Sequence, residues 1–394
     1  MKAIIFLPLK LKKMKTKKIG TIALLSAIFL FAMIFCGCKK DIQSQANEIL
    51  ANSARNTKEE APAVTVHAGQ SIQAAVDVAS SGSIIKIEPG TYNESVVVDK
   101  ANMQLVGTDD GVIIQNPGDE ENGISVTDAG DGFVLKNVTV RNFKENGVLL
   151  QHVDNFLLSH VTATNNGEYG LFPVFCNGGV IEHCTASGHT DTGIYVGQSS
   201  NVEMNFNTVF ANVQGLEIEN STNVTASKNQ CYDNSAGVLV SFLPGLTATT
   251  SMNITVSNNH VYNNNHVNFS NPDGGFENFT PSGTGILVLA GTEITVKDNN
   301  VSGNNTDGIA VISGYTLASL TGITAFITVI DPVPHGYKIV SNVLHNNGTA
   351  PAPIPLPAVD LLWDGPVWGG AATNVCWEKN IYSTSFPSSL PSCD

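Results

Sequence analysis

One short phrase recurs from Asn122 to Val311 and limits what this chain can fold into more than any other feature. A polar or turn residue precedes Gly, and an apolar–any–apolar triplet follows. The instances are NGISV from Asn122, NGVLL from Asn146, YGLFP from Tyr169, TGIYV from Thr192, QGLEI from Gln214, AGVLV from Ala236, TGILV from Thr284 and DGIAV from Asp307. Their glycines are Gly123, Gly147, Gly170, Gly193, Gly215, Gly237, Gly285 and Gly308, evenly spaced except between Gly237 and Gly285. That interval holds two periods or an insertion. A fixed period of this length means a solenoid, in which each repeat buries its apolar face on its neighbours.

The chemistry of the repeat selects the kind of solenoid. The units carry Val, Ile, Asn, Gly, Ser and Thr rather than the several Leu and helical half of a leucine-rich repeat. Apolar residues alternate with period two in short runs, as half-buried strands require. Asn and Gly punctuate the runs, and both tolerate the left-handed backbone of tight turns. Three short strands per coil give an all-β, right-handed parallel β-helix of about ten coils. Asn212, Asn234 and Asn305 each stand three residues before a repeat glycine, so stacked coils predict a ladder of hydrogen-bonded amides through them.

Residues 1–38 read as an address. Seven Lys between Lys2 and Lys18 precede an apolar run from Ile19 to Phe35, and Cys36-Gly37-Cys38 follows. This is the layout of a secretory signal, and the run is at the short limit of about 17 residues for spanning a bilayer. The Gly-Cys ending resembles a bacterial lipobox with Cys38 as the lipidated residue, which implies a lipid-anchored protein of the cell envelope. Removing residues 1–37 strips seven of the 20 basic residues and none of the 34 acidic ones, taking the net charge from −14 to −21. Only Arg55 and Arg141 remain as arginines, so no basic surface for nucleic acid exists. Residues 39–63 are polar and charged without strand pattern and read as a flexible tether.

Residues 64–347 form the predicted β-helix. Gln70 to Ala79 has Ile72, Ala75, Val76 and Ala79 at helical spacing with Ser71 placed as N-cap, a short helix to plug the solenoid's first end. The SIQAAVDxAxxGxxIxIxPGTY opening resembles the N-terminal cap of the pectin-lyase-like β-helix superfamily. Three excursions, 241–251, 266–282 and 313–336, break the coils, and long loops on a rigid solenoid build binding walls. Residues 348–394 read as a C-terminal cap. Cys376 and Cys393 lie in this otherwise unstapled tail and pair best as a disulfide, while Cys176, Cys184 and Cys231 fall within coils as buried thiols. No CxxC, HExxH or CxxCH motif is present.

Alternation along each strand turns the second and fourth residues after Gly outward. The first column is Ser125, Leu149, Phe172, Tyr195, Glu217, Leu239, Leu287 and Ala310; Glu219 belongs to the second. Phe172, Tyr195 and Glu217 are thus expected as one exposed stripe, with Glu168, Tyr169, His189 and Asp191 brought to its edge. The leucines of the same column call for cover by the long loops. Within the pectin-lyase-like resemblance, such an aromatic and carboxylate patch at mid-length implies a carbohydrate cleft. The catalytic candidates are Tyr195, His189, Asp191 and Glu217, with His189 and Tyr195 as base and acid. Glu168, Tyr169, Phe172 and Glu219 are the binding candidates. Asp191, Glu217 and Glu219 are the ligand set if the site takes Ca²⁺.

The signatures of specific enzymes are mostly missing. Asn305-Thr306-Asp307-Gly308 copies the NTDG element of polygalacturonase-type hydrolases, but their later Asp pair, Gly-His-Gly and Arg-x-Lys do not follow. The YG-x-DPH element of mannuronan epimerases is also absent. A closer resemblance rests on DTGIYVGQSSNV from Asp191, GLEIENS from Gly215, GVLVSFLPGL from Gly237, VYNNNH from Val261 and GTGILVLA from Gly283. These are similar to a family of exported bacterial β-helix repeat lipoproteins without an assigned activity. That resemblance implies a possible exported partner of c-type cytochrome character and no reaction. Three expectations stand: a polysaccharide- or partner-binding β-helix, a polysaccharide lyase, epimerase or hydrolase, and a scaffold for an exported cytochrome.

Overall fold

A computed structural model describes residues 62–369 and 375–393. The signal segment, Cys38 and the tether up to residue 61 lie outside the described residues. Every strand pairing among the described residues is parallel, and each coil stacks on the next about one repeat later in sequence, as in Thr192↔Gln214 and Gln214↔Ala236. The strands that carry the recurring Gly phrase form an 11-stranded sheet running from Val96–Val98 to Ser385–Phe386. The remaining strands line the other sides of the coil. The fold is a right-handed parallel β-helix.

The period-two pattern explains the interior. Ile124, Val148, Leu171, Ile194, Leu216, Val238, Ile286 and Ile309 follow the repeat glycines and are wholly buried in one continuous core. Ser71 caps the helix Ile72–Val78 by accepting from the Ala74 amide. Glu94 accepts from the Ile72 and Gln73 amides, and Lys100 donates to the Val76, Asp77 and Ala79 carbonyls at the helix's other end. Both helix ends are thereby satisfied, which fits a plug over the first coils. At the far end, Val359–Trp363, Cys376–Glu378 and Ser385–Phe386 extend the sheets, so the segment read as a cap adds strands to the solenoid. Cys376 and Cys393 are joined as a disulfide, and Cys176, Cys184 and Cys231 are free and buried.

Two amide ladders run through the interior. One is Asn207, Asn229, Asn259, Asn299, Asn342 and Asn380; in each step an Nδ2 donates to the next Oδ1 at 2.9–3.0 Å. The other passes through Asn212, Asn234, Asn264, Asn304 and Asn347 and ends on Asp360. Asn305 is not a rung, contrary to the spacing argument. The turn before Gly308 holds one more residue than those before Gly215 and Gly237, which moves the ladder position to Asn304. Outside the solenoid lies a second apolar cluster. Leu239, Leu287, Leu289, Ala310, Ile312 and Leu362 of the 11-stranded sheet meet Leu317 and Phe326 from the helices Gly314–Thr321 and Ala325–Thr328, with Leu243 and Phe276 packed against them. The three excursions therefore roof the outer face of this sheet over its C-terminal half.

Candidate functional site

The uncovered half of that face begins at Val97 and runs through Ser125, Leu149 and Phe172, which are exposed or half-buried. Register stacks Ser125 on Leu149, Leu149 on Phe172, Tyr195 on Glu217 and Glu217 on Leu239. Tyr169 lies flat on Phe172 with ring centroids 4.2 Å apart, and Tyr195 meets the pair at 4.7 Å from Phe172 and 5.3 Å from Tyr169. A recess of about 350 Å³ lined by Val97, Asp119, Glu121, Asn122 and Ser125 opens at the start of this face. The stripe is thus open from Val97 to Phe172.

It does not stay exposed. Tyr195 and Glu217 are each 4 % accessible and Asp191 is 8 %. The expectation of a solvent-facing Tyr195/Glu217 stripe fails because the segment 266–282 folds back over it. Thr280 accepts from Gln214 Nε2 at 2.9 Å, and Glu277 is brought close enough to act electrostatically on Asp191, Glu217 and Glu219. Tyr169 and Phe172 remain half-buried, Glu219 is half-buried and Glu168 is exposed. Solvent therefore reaches the four binding candidates and hardly touches the catalytic ones.

Beneath them is a dense acid–hydroxyl network. The Thr192 hydroxyl lies 3.0 Å from Asp191 Oδ1, 2.9 Å from Glu217 Oε2 and 3.1 Å from Gln214 Oε1. One hydroxyl carries one proton, so both carboxyls can approach it only if at least one of them keeps its own proton and donates back. Burial pushes the Asp191 carboxyl up to about 8, with Glu277 adding to the shift. Glu219 rises to about 7, burial and Glu277 outweighing the Tyr195 hydrogen bond. Glu217 is held well above the carboxylate range by burial and then by Glu219 and Asp191. The charges acting on these three groups are other carboxylates, which raise each pKa further. The Tyr195 hydroxyl donates to Glu219 Oε2 at 2.5 Å. A side chain at position 197 would collide with the Tyr195 ring and hydroxyl, so Gly197 lets the phenol lie across its strand and reach the next coil.

His189 is not part of this face. Its ring is wholly buried as a rung of the second ladder, between Asn166 Nδ2 at 3.3 Å and Asn212 Oδ1 at 2.8 Å. Asn212 Oδ1 also accepts the His189 amide, so it acts as an acceptor; the pairing assigns the proton to Nδ1 and leaves Nε2 to accept from Asn166. Burial lowers its pKa to about 4. The role of base assigned to it is withdrawn: it has no path to a substrate. The Ca²⁺ set fares no better. Among the described residues no three His, Cys, Asp or Glu side chains group as a metal ion needs, and Asp191, Glu217 and Glu219 are turned onto Thr192 and Tyr195. Asp307 of the NTDG element is buried and accepts from the Val359 amide, a turn role.

Residues that the sequence reading passed over are Glu277, Thr192, Gln214, Thr280 and the rest of an acidic column. Glu121, Glu145, Glu168 and Asp191 occupy one place in four successive coils, the amides of the last three each donating to the carbonyl of the member before at 2.7–3.1 Å. Their spacing, one coil per step, was readable. Glu277 was not, because no period runs through an inserted loop.

The fold and site define a β-helix with an aromatic cluster on an open strand face beside a buried acidic cluster. A family model described as "Right handed beta helix region" matches residues 122–267. Among curated protein sequences none matches. Solved structures agree in fold. The A-module of mannuronan C-5 epimerase AlgE6 from Azotobacter vinelandii is 18% identical, with a TM-score of 0.61 over 80% of this chain and 83% of that one. The A-module of mannuronan C-5 epimerase AlgE4 from the same organism is 14% identical at 0.58 over 80% and 91%. A family 28 exopolygalacturonase from Yersinia enterocolitica is 11% identical at 0.53 over 82% and 76%. At these identities the likeness is one of architecture.

Proposed function

We propose that this chain is a lipid-anchored protein of the cell envelope that binds polysaccharide along the open half of the 11-stranded sheet. The observation that carries this reading is the stacked Tyr169–Phe172 pair, half-buried on an open strand face that continues through Leu149 and Ser125. Aromatic rings with their negative faces suit the C–H faces of sugars, while Glu168 and Glu219 can accept from hydroxyls. The acidic column along the edge disfavours strongly anionic chains. The anchoring part of the proposal rests on the signal layout and Cys38. Affinity electrophoresis through gels holding neutral or anionic polysaccharides tests the binding part. Phe172→Ala should weaken retardation by a neutral polymer about tenfold, as the loss of a stacking contact implies. Equal retardation of wild type and variant would remove this face from the function.

A second reading is favoured by one observation, the burial of Asp191 and Glu217 around the Thr192 hydroxyl, which raises both carboxyls toward the protonated form that a polysaccharide-acting enzyme needs as its acid. Asp191 and Glu217 would then act once the 266–282 segment lifts. Reducing ends or unsaturated products accumulating with time, and lost in Glu217→Gln, would establish it.

A further inference from the structure

On another side of the solenoid, six consecutive short strands stack in register: Thr185–Ser187, Thr208–Phe210, Gln230–Tyr232, His260–Tyr262, Asn300–Ser302 and Val343–His345. The middle residue of each points into the core and is buried, so the first and third face outward. None of those twelve outward positions is Asp, Glu, Lys or Arg, in a chain with 34 acidic residues. Burial and then the neighbouring His345 lower the pKa of His260.

A ring column runs down the middle of this sheet. Phe210, Tyr232 and Tyr262 are half-buried, with successive centroids 5.2 Å apart and planes within 6° and 17° of parallel. That spacing exceeds the roughly 3.5–4.0 Å of carbon contact. Since coils are about 4.8 Å apart, the rings are offset and leave outer edges and part of their faces to solvent. Beside the column stand Gln230, His260 and Asn300, all exposed, and His260 lies on Tyr262 at 4.2 Å. No hydrogen bond among the described residues occupies the side chains of Gln230, Tyr232, Tyr262 or Asn300. An aromatic stripe flanked by free amides and phenols, with no acidic or basic side chain on its own strands and Lys228, Asp233 and Asp298 confined to the adjoining turns, is complementary to an uncharged polymer of hydroxyls and C–H faces. Its repetition along the axis suits a partner that is itself extended and repeating.

We infer that this flat sheet is a second binding surface, for an extended neutral polysaccharide lying along the Phe210–Tyr232–Tyr262 column. It stands apart from the Phe172 face and does not depend on that reading. Both sites would let the anchored protein hold one polymer at two points or crosslink two.

The test is affinity electrophoresis of the full chain in gels containing hydroxyethyl cellulose, with polygalacturonate as the anionic counterpart. The Tyr232→Ala/Tyr262→Ala double variant should lose about tenfold or more of its affinity for the neutral polymer. Gln230→Ala/Asn300→Ala removes only exposed groups and cannot fail through misfolding; it should lose about threefold. Phe172→Ala in parallel separates the two surfaces, since a surviving tyrosine effect with a silent Phe172 condemns the Phe172 face and leaves this sheet standing. Three results overturn the inference: no retardation of wild type by the neutral polymer, unchanged affinity in folded tyrosine and amide variants, or a dimer in light scattering that the tyrosine variant dissolves.

Discussion

The two halves of the 11-stranded sheet share backbone, register and column, yet differ in what lies on them. Toward the C-terminus the column reads Leu239, Leu287, Ala310 and Leu362, and the excursions pack helices and loops on it as a second core. Toward mid-length it reads Phe172, which stays open, and then Tyr195 and Glu217, covered by the part of the 266–282 excursion that brings a further carboxylate, Glu277. The first cover is held by apolar burial and is built to stay. The second sits on a network that needs protons to be stable. A strand face on a solenoid is thus not one surface, and the residue types along a column tell where a roof is permanent.

The largest expected difference between the halves is in stability. Leu239→Ala deletes a side chain that is 1 % accessible beneath the roof and should cost about 2–5 kcal/mol in urea denaturation. Leu149→Ala, in the same column on the open half, is half-buried and should cost no more than about 1.5 kcal/mol. Equal costs would erase the distinction between roofed and open halves.

The next test is pH. Asp191 and Glu219 titrate near 8 and 7 in the fold but near 3.9 and 4.3 when unfolded, so the folded state holds more protons in between. Stability from these groups is fully present below about pH 4 and is lost as pH rises toward 8. His189, lowered to about 4 from 6.5, has the opposite sign: its contribution is present above pH 6.5 and is lost as pH falls toward 4. Between pH 6.5 and 8 only the carboxyls slope, downward. The Asp191→Asn/Glu219→Gln double variant should reduce that slope in denaturation curves collected across pH, while Leu239→Ala should shift the whole curve and leave its shape. His189→Asn should flatten the acid limb alone and remain folded, because its neighbours on the ladder, Asn166 and Asn212, are already amides.

How much of this was legible depends on whether a period ran through it. The coil, the capping helix with Ser71 and the columns of outward residues all repeat or carry a local cap signal, and the structure follows them. His189 was misplaced because position was counted from glycine, and the turn before Gly193 is one residue longer than that before Gly215. Counted from Asn212, His189 lies one coil back and Asn166 one coil further, with the same sequence separation in both steps. The burial of Tyr195 and Glu217 was not readable, since it depends on Thr280 and Glu277 from a loop whose path no repeat dictates. Alternation gives the direction of a side chain but not what covers it.

The smallest expected effect is also the one that best separates support from contact. Tyr195→Phe keeps the ring between Phe172 and Glu217 and removes only the hydroxyl that donates to Glu219. That should cost about 1 kcal/mol, or somewhat more above pH 7 where Glu219 loses its proton and has no donor left. Glu168→Gln, on the exposed edge, should move stability by less than about 0.5 kcal/mol. In polysaccharide binding the order should reverse, because Glu168 can touch a ligand and Tyr195 acts only through the ring stack above it. If Tyr195→Phe weakens binding more than Glu168→Gln at equal folded fraction, the loop over Glu217 opens in solution. The acidic cluster is then within a substrate's reach, and the two halves differ in motion as well as in chemistry.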